Sequence, residues 1–378
     1  MIYLPTRVYF GEGALLRAAD NILKLGSQPL VVTGRASARL SGALDELTVV
    51  LDRAGLEMKL FDQVEENPSL DTVLDGAKIL KESGCDFLIG IGGGSPIDAA
   101  KAIALAAANS LDRDELYLIE RFKTSLPLVA IPTTSGTGTE VTQYAVLTDP
   151  QTNIKAGFGH DLAFPALAVC DPRHTLSLDP STTLNTAVDA LSHLLEGIYS
   201  NKRDPLLQPL IHSGAKAILN HLKAVLDQPD DLAGRTELMR ASLYGGITIA
   251  QTSTTLQHSL GYPLTAAFGL PHGLSNAVVM RQVMDLYYPA LKADLDPLFA
   301  ALGISRTEFD NWLSSLPLGA CPELGDAFTE RCVAEVLASR NMANNPFQVG
   351  ADQIREIYRS LREAFRSPPG SKPAGPTA

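Results

Sequence analysis

Phe87-Leu88-Ile89-Gly90-Ile91-Gly92-Gly93-Gly94-Ser95-Pro96 is the stretch on which the fold turns. Phe87 to Ile91 is a short apolar run that ends in a glycine cluster, as expected of a strand buried on both faces. From Pro96 to Ala108, Ala and Ile recur at helical spacing with Pro close to the first turn, so a helix follows. Glycines let a backbone approach a ligand closely, and the free N–H groups of a helix start attract an anion such as a pyrophosphate. The segment is neither a Walker A loop nor a full G-x-G-x-x-G, because Ser95 stands where the last glycine would be. On its own it leaves open a tight strand-to-helix turn with no ligand.

Three more apolar runs bounded by Gly or Pro repeat the pattern: Leu30–Thr33 before Gly34, Leu128–Ile131 before Pro132, and Leu167–Cys170 before Asp171-Pro172. Separated by helical stretches, they predict a parallel sheet. The Leu128–Ile131 run leads into Pro132-Thr133-Thr134-Ser135-Gly136-Thr137-Gly138-Thr139-Glu140, whose hydroxyls and N–H groups suit phosphate or ribose contacts at a strand's carboxyl end. An N-cap cluster for the next helix would read the same way. Two such loops in one α/β half favour a nucleotide site more than either alone.

Beyond about residue 178 the pattern becomes almost wholly helical, as in Leu184–Ile198, Leu206–Val225, Arg235–Thr252 and Ile354–Phe365. Asp179-Pro180 reads as an N-cap followed by Pro at the first helical position. The expected organisation is an α/β dinucleotide-binding domain over 1–178 and an all-α domain over 179–366. The Pro-, Gly- and Ser-rich 367–378 is expected to be a disordered tail. The 378 residues, 45% hydrophobic, suffice for two cores.

Net charge is −11 with no basic stripe, so nucleic acid is not an expected partner. No run of about 18 uncharged apolar residues predicts a membrane span. The opening MIYLPTRVYFGEG does not read as a signal peptide. Cys85, Cys170, Cys321 and Cys332 form no C-x-x-C clip and read as free thiols, for which a reducing, cytoplasmic setting is expected.

Three of the seven histidines fall in two short segments. Asp189 and His193, at i and i+4, project from one face of a helix otherwise rich in Leu, Val and Ala. Burying both unpaired is costly, so they require a partner: each other, or a metal ion. His258 and His272 flank a stretch with Pro263 and Gly269, which reads as a helix end, a loop and a new helix start. Together Asp189, His193, His258 and His272 are a one-carboxylate, three-imidazole set suited to Fe(II) or Zn(II). His160, His174, His212 and His221 lack such a context and read as surface or structural.

The pieces FGEGAL, GGGSPIDAAKAI, PTTSGTGTEVT, VDALSHLLEG and LPHGLSNAV occur in an order and at separations that resemble the iron-containing, or group III, alcohol dehydrogenases. The resemblance runs from about Thr6 to Phe365. It implies a dehydroquinate synthase-like architecture with the active site between the two domains. It implies that Asp189, His193, His258 and His272 hold iron, or sometimes zinc. It implies that Gly93, Gly94 and Ser95 meet the cofactor pyrophosphate with Asp98 on the same turn. Thr133, Thr134 and Thr137 would touch the adenosine or phosphate side, and Lys155 matches a lysine of the cofactor site. The implied reaction moves a hydride between NAD(P)(H) and a small alcohol or aldehyde, in a homodimer.

Three departures stand out. Many family members carry a further histidine four residues after the third ligand, with a proton-transfer or substrate role; here that position is Tyr262, whose hydroxyl or a water chain would replace it. NAD-preferring members often have an Asp after the second strand. This chain has Gly34, followed by Arg35 and Arg39, and that charge pattern favours NADP(H) over NAD(H) unless the two are ordinary surface arginines. Gln143, Tyr144 and Ala145 differ from small-diol members and are expected along the substrate pocket. The alternatives are a dehydroquinate synthase-like NAD-dependent lyase and a metal-independent, maleylacetate reductase-like enzyme.

Overall fold

The computed structural model describes residues 2–151, 154–319 and 324–366. Cys321 and the expected tail at 367–378 lie outside the described residues. The N-terminal domain holds strands β1 (Arg7–Phe10), β2 (Pro29–Gly34), β3 (Lys59–Val64), β4 (Phe87–Gly92), β5 (Leu128–Pro132), β6 (Tyr144–Asp149), β7 (Ile154–Gly159) and β8 (Leu167–Cys170). Its helices are α1 (Ala14–Ile22), α2 (Ser37–Leu40), α3 (Ala43–Arg53), α4 (Leu70–Ser83) and α5 (Gly94–Asn109).

Six of the strands form one parallel sheet in the order β1-β8-β5-β4-β2-β3. The four apolar runs legible in the sequence are its four central strands. Val31, Ile89, Ile131 and Val169 face α1 and α3, while Leu30, Val32, Leu88 and Leu128 face α4 and α5. Both faces are therefore covered, which is why these strands are apolar at consecutive positions. The two edge strands have weaker patterns. In β3, KLFDQV, Phe61 and Val64 are the buried positions between exposed or half-buried neighbours. β6 and β7 form a separate antiparallel hairpin.

The chain runs from β2 outward to β3, then returns past β2 to β4. Neighbouring β2 and β4 thus send their following helices, α3 and α5, to opposite faces. That reversal opens a crevice at their carboxyl ends, where α/β sheets bind ligands. Gly34 and the glycine turn before α5 both lie there. Gly92 in that turn has φ +148°, and a Cβ on it would meet the Pro96 ring at 2.7 Å.

The helical domain comprises α6 (Pro180–Tyr199), α7 (Gln208–Asp227), α8 (Leu232–Thr252), α9 (Leu256–Phe268), α10 (His272–Leu302), α11 (Arg306–Ser314), α12 (Asp326–Ala338) and α13 (Ala351–Arg366). Asp179 caps α6, accepting from the Thr182 N–H at 2.9 Å, with Pro180 in the first turn. Among the described residues no helix is long and apolar enough to cross a membrane.

The domains meet backbone to backbone. The loop after β5 carries Gly138, at φ +62°, directly against Gly246 of α8. A Cβ on Gly246 would lie 2.5 Å from the Gly138 carbonyl oxygen and 2.7 Å from its Cα. Gly136 packs likewise on α6, where a Cβ would lie 2.6 Å from the Thr186 carbonyl oxygen. Since backbone, not a flexible side chain, opposes the added carbon, Gly246→Ala is expected to cost about 1–3 kcal/mol. Urea denaturation checks this: the midpoint should fall at unchanged slope, and an unshifted midpoint would mean that the loop yields freely.

Candidate metal and cofactor site

Asp189 and His193 lie one turn apart on α6, His258 is in the first turn of α9, and His272 opens α10. All four converge. The Nε2 atoms of His193, His258 and His272 lie 3.8, 3.8 and 3.6 Å from one oxygen, Oδ1 of Asp189. Ligand atoms of Asp189, His258 and His272 are all within 4.8 Å of one another. Two donors each about 2.1 Å from one ion would sit roughly 3.4 Å apart at a tetrahedral angle, so the set is close to metal-holding dimensions. The His193 and His258 rings stack at 5.0 Å, and the Asn276 amide nitrogen points into the same space, 3.1 Å from Asp189 Oδ1. Backbone packing brings α10 this close: a Cβ on Gly273 would lie 1.9 Å from the Asn185 carbonyl oxygen on α6.

The protonation states suit a cation. Burial lowers the His193 pKa, and burial pushes His272 down to about 3, so both are neutral at physiological pH. Burial alone would raise the Asp189 carboxyl; the imidazoles of His193, His272 and His258, with the Asn276 amide, outweigh it and hold it below the usual carboxylate range. The site therefore offers one carboxylate and imidazole lone pairs, the forms that bind metal. The Nδ1 atom of His272 has no hydrogen-bond partner, and His193 meets only the Gly136 backbone besides the cluster, so neither ring is held by a second carboxylate. The simple Asp–His pair that the sequence left open is not what forms: at 3.8 Å, Asp189 and His193 do not hydrogen-bond.

His258 differs, because its Nδ1 meets a carboxylate that the sequence reading did not single out. Glu196, buried on α6, pairs with His258 Nδ1 and also accepts from the N–H and hydroxyl of Thr255 at 2.6 and 2.8 Å. Burial would lower the His258 pKa, but Glu196 and then Asp189 raise it. The available signal was spacing: Glu196 is three residues after His193, on the same helical face.

The cofactor-side residues form a second group. The loops after β4 and β5 lie against each other: Thr133 N–H donates to the Gly92 carbonyl at 2.8 Å. Cβ atoms on Gly93 and Gly94 would come within 3.3 and 3.0 Å of the Thr134 and Thr137 methyls. The Thr133 hydroxyl is buried without a partner. Ser95 Oγ accepts from Asn67 N–H at 3.2 Å. Asp98 is tied inward, accepting from the Thr139 hydroxyl at 2.5 Å and Val146 N–H at 3.0 Å, with the buried Lys101 ammonium 3.9 Å away. Lys101 in turn donates to the Thr139 hydroxyl and the Tyr144 carbonyl, both at 2.7 Å. Asp98 and Lys101 thereby fasten α5 to the second loop.

Lys155, on β7, donates to Asn67 Oδ1 at 2.6 Å. The residue is exposed as a whole, yet burial around its ammonium lowers its pKa against the pull of Asp98, Glu66 and Asp189. Its charge is felt by Asp98 of the glycine-turn helix and by His258 and His272 of the donor cluster. Gly34 is half-buried, with Arg35 and Arg39 exposed. A Cβ on Gly34 would be 3.8 Å from Pro96, so this residue borders the glycine turn.

Tyr262 sits at the metal end. Its ring stacks on His272 with centroids 5.7 Å apart at 12°, and burial of the hydroxyl pushes its pKa up to about 12. Gln143 and Tyr144 spend their polar ends on domain contact: Gln143 donates to the Ala250 carbonyl at 2.9 Å, and Tyr144 Oη lies 2.8 Å from Ser253 Oγ.

Glu46, Asp171 and His174 form a second compact group. There the Arg173 guanidinium already lies 3.0 Å from Glu46 and 2.6 Å from Asp171, so the positive charge is supplied by protein. His174 is structural.

The family model "Iron-containing alcohol dehydrogenase" matches residues 5–172, and "Fe-containing alcohol dehydrogenase family, C-terminal" matches 183–362. The chain is similar to alcohol dehydrogenase 4 of Saccharomyces cerevisiae strain YJM789, at 32% identity covering 96% of this chain and 98% of that one. It is 32% identical to an NADPH-dependent butanol dehydrogenase of Clostridium saccharobutylicum over 74% of this chain and 72% of that one. The crystal structure of an iron-containing alcohol dehydrogenase from Thermotoga maritima superposes with a TM-score of 0.88 at 38% identity, covering 96% of this chain and 99% of that one. These matches do not favour the lyase or the metal-independent reductase. The chain belongs to the iron-containing alcohol dehydrogenase family and is an NAD(P)-dependent alcohol dehydrogenase.

Proposed function

We propose that this enzyme interconverts small alcohols and aldehydes with NADP(H), using Fe(II) held by Asp189, His193, His258 and His272. The observation that carries the metal assignment is the convergence of three imidazole Nε2 atoms, at 3.6–3.8 Å, on one buried carboxylate oxygen. Zn(II) fits the same donors. Gly93, Gly94, Ser95, Thr133, Thr134 and Thr137 cradle the cofactor phosphates, and Asp98 holds the turn in shape from inside. When bound, the ion supplies Lewis acidity to the substrate oxygen and the nicotinamide carries the hydride.

The chain's own residues orient and move the proton. Lys155 places a positive charge between the cofactor loops and the metal end. Tyr262, with its hydroxyl protonated at neutral pH, serves as the proton donor to the product alkoxide in aldehyde reduction, directly or through water. We further propose a homodimer in the cytoplasm, in keeping with the family resemblance and with buried free thiols at Cys85, Cys170 and Cys332.

Chelation should abolish aldehyde reduction across a substrate panel, and added Fe(II) or Zn(II) should restore it. Full activity in preparations verified as metal-free would overturn the metal assignment. The same panel run with both cofactors should show a lower KM for NADPH than for NADH, since a glycine and two arginines stand where a ribose-binding carboxylate would repel a 2′-phosphate. A clear preference for NADH refutes that choice. Tyr262→Phe should lower turnover on the order of 10²-fold with metal content unchanged; wild-type turnover would remove Tyr262 from the proton route.

A further inference from the structure

We infer that Glu196 is a positioning residue that fixes which nitrogen of His258 carries the proton, and so presents a bare Nε2 to the metal. This rests on the proposed role of His258 as a ligand. Glu196 and His258 are both buried, at 0% and 3% exposure, so their orientation is set by protein partners and not by bulk water. One carboxylate oxygen, Oε1, accepts three donors: Thr255 N–H at 2.6 Å, the Thr255 hydroxyl at 2.8 Å and His258 N–H at 3.3 Å. The other, Oε2, faces His258 Nδ1. An ionised carboxylate can only accept, so Nδ1 carries a proton; in the neutral ring Nε2 is then the acceptor, 3.2 Å from the Asn276 amide nitrogen and 3.8 Å from Asp189 Oδ1. Carboxylate–histidine–metal arrangements fix both tautomer and ring orientation in this way.

Among the three histidines only His258 has a carboxylate on Nδ1: His272 Nδ1 has no hydrogen-bond partner, and His193 meets the Gly136 backbone. The support also precedes the ligand in the chain: Thr255 is the N-cap of α9, and its backbone and side chain both bind Glu196. The carboxylate of α6 therefore holds the start of the helix that carries His258 as well as its ring.

Glu196→Gln isolates the claim because it keeps shape and removes charge. Three donors surround Oε1, so the glutamine carbonyl must take that position, which turns its NH2 group toward His258 Nδ1. Nδ1 must then accept, and the proton moves to Nε2, the nitrogen that faces the cluster, which cannot ligate while it carries a proton. Zn(II) affinity, measured by competition with a chromophoric chelator, should fall about 10–100-fold. In metal-free protein carrying 15N-labelled histidine, at a pH where the His258 ring is neutral, its signals should report Nδ1–H in the wild type and Nε2–H in Glu196→Gln. Glu196→Asp, which keeps an acceptor-only group, should retain Nδ1–H and recover part of the affinity.

Wild-type affinity and an unchanged tautomer in Glu196→Gln would overturn the inference while leaving the metal site standing. Absence of Zn(II) and Fe(II) binding by the wild-type chain would instead overturn the ligand assignment itself. If Glu196→Gln does not fold, the wild-type tautomer decides: Nε2–H with a bare Nδ1 refutes the inference, and Nδ1–H supports it.

Discussion

Asp189 is 3% exposed on a helix where Val188, Ala190 and Leu191 are also buried, and an ionised carboxylate in such surroundings requires partners to offset its desolvation. On its own helix only His193 reaches it. The other groups around it, His258, His272 and Asn276, come from α9 and α10, and the Asn276 amide donates to it, so the packing of three helices is tied to this one carboxylate. The close approaches in this region serve that end. Gly273 lets α10 lie on the backbone of α6, and Gly261 leaves room for the Asn276 amide, whose oxygen would lie 2.2 Å from a Cβ there. Such contacts tolerate no added methyl, which makes the donor cluster rigid.

In the proposed function, rigidity at the Asp189 cluster is useful only if the glycine-turn loops are held in register with it. Two devices do this. The Gly138–Gly246 and Gly136–Thr186 contacts lay the loop after β5 directly on the helices that carry the metal cluster. Asp98 and Lys101, on α5, bind the same loop through Thr139 from the other side. The loop is thus clamped between the glycine-turn helix and the helical domain, with neither contact depending on a long flexible side chain at the surface. Burial lowers the Lys101 pKa to about 8 against the pull of Asp98 and Glu140, and a dry ammonium of this kind is costly unless its donors are all used, as three of its contacts here show.

Legibility in the sequence followed how local each constraint was. The central strands β2, β4, β5 and β8 were readable because burial on both faces leaves an unbroken apolar run. β1 and β3, at the sheet edges, left no such run, and the β6–β7 hairpin was not anticipated, so Lys155 entered only through family resemblance. Asp189 and His193 were visible as an i, i+4 pair. Their union with His258 and His272 depends on helix packing that no local spacing encodes. Glu196 passed unnoticed although it shares their face, because a lone Glu on a helix is ordinarily solvated. Gly245-Gly246 within α8 was the stronger missed signal. Each glycine costs about 1 kcal/mol relative to Ala in a helix interior, so a pair there calls for a close contact to justify it. Gln143 and Tyr144 were expected along the substrate pocket, and their polar ends are engaged in holding the domains together.

The three imidazoles are unequally exposed, and that inequality gives the site a direction. Side chains of His193 and His258 are 5% and 3% exposed, while that of His272 is 30% exposed. Protein therefore closes the site on the α6 and α9 side, where Glu196 braces His258, and leaves it open beside His272. Tyr262, itself 37% exposed, lies flat against that same ring. Lys155 exerts its charge there too, lowering the pKa of His272 along with the larger effect of burial. In the proposed function a substrate oxygen must reach the metal where protein donors are absent, and a nicotinamide must reach the substrate carbon from the cofactor loops. Both requirements select the His272 face. In that proposal the Tyr at 262, stacked on His272, stands beside the approach to the metal, where a broad apolar ring with a polar tip would change the shape offered to the substrate as well as the group that handles its proton.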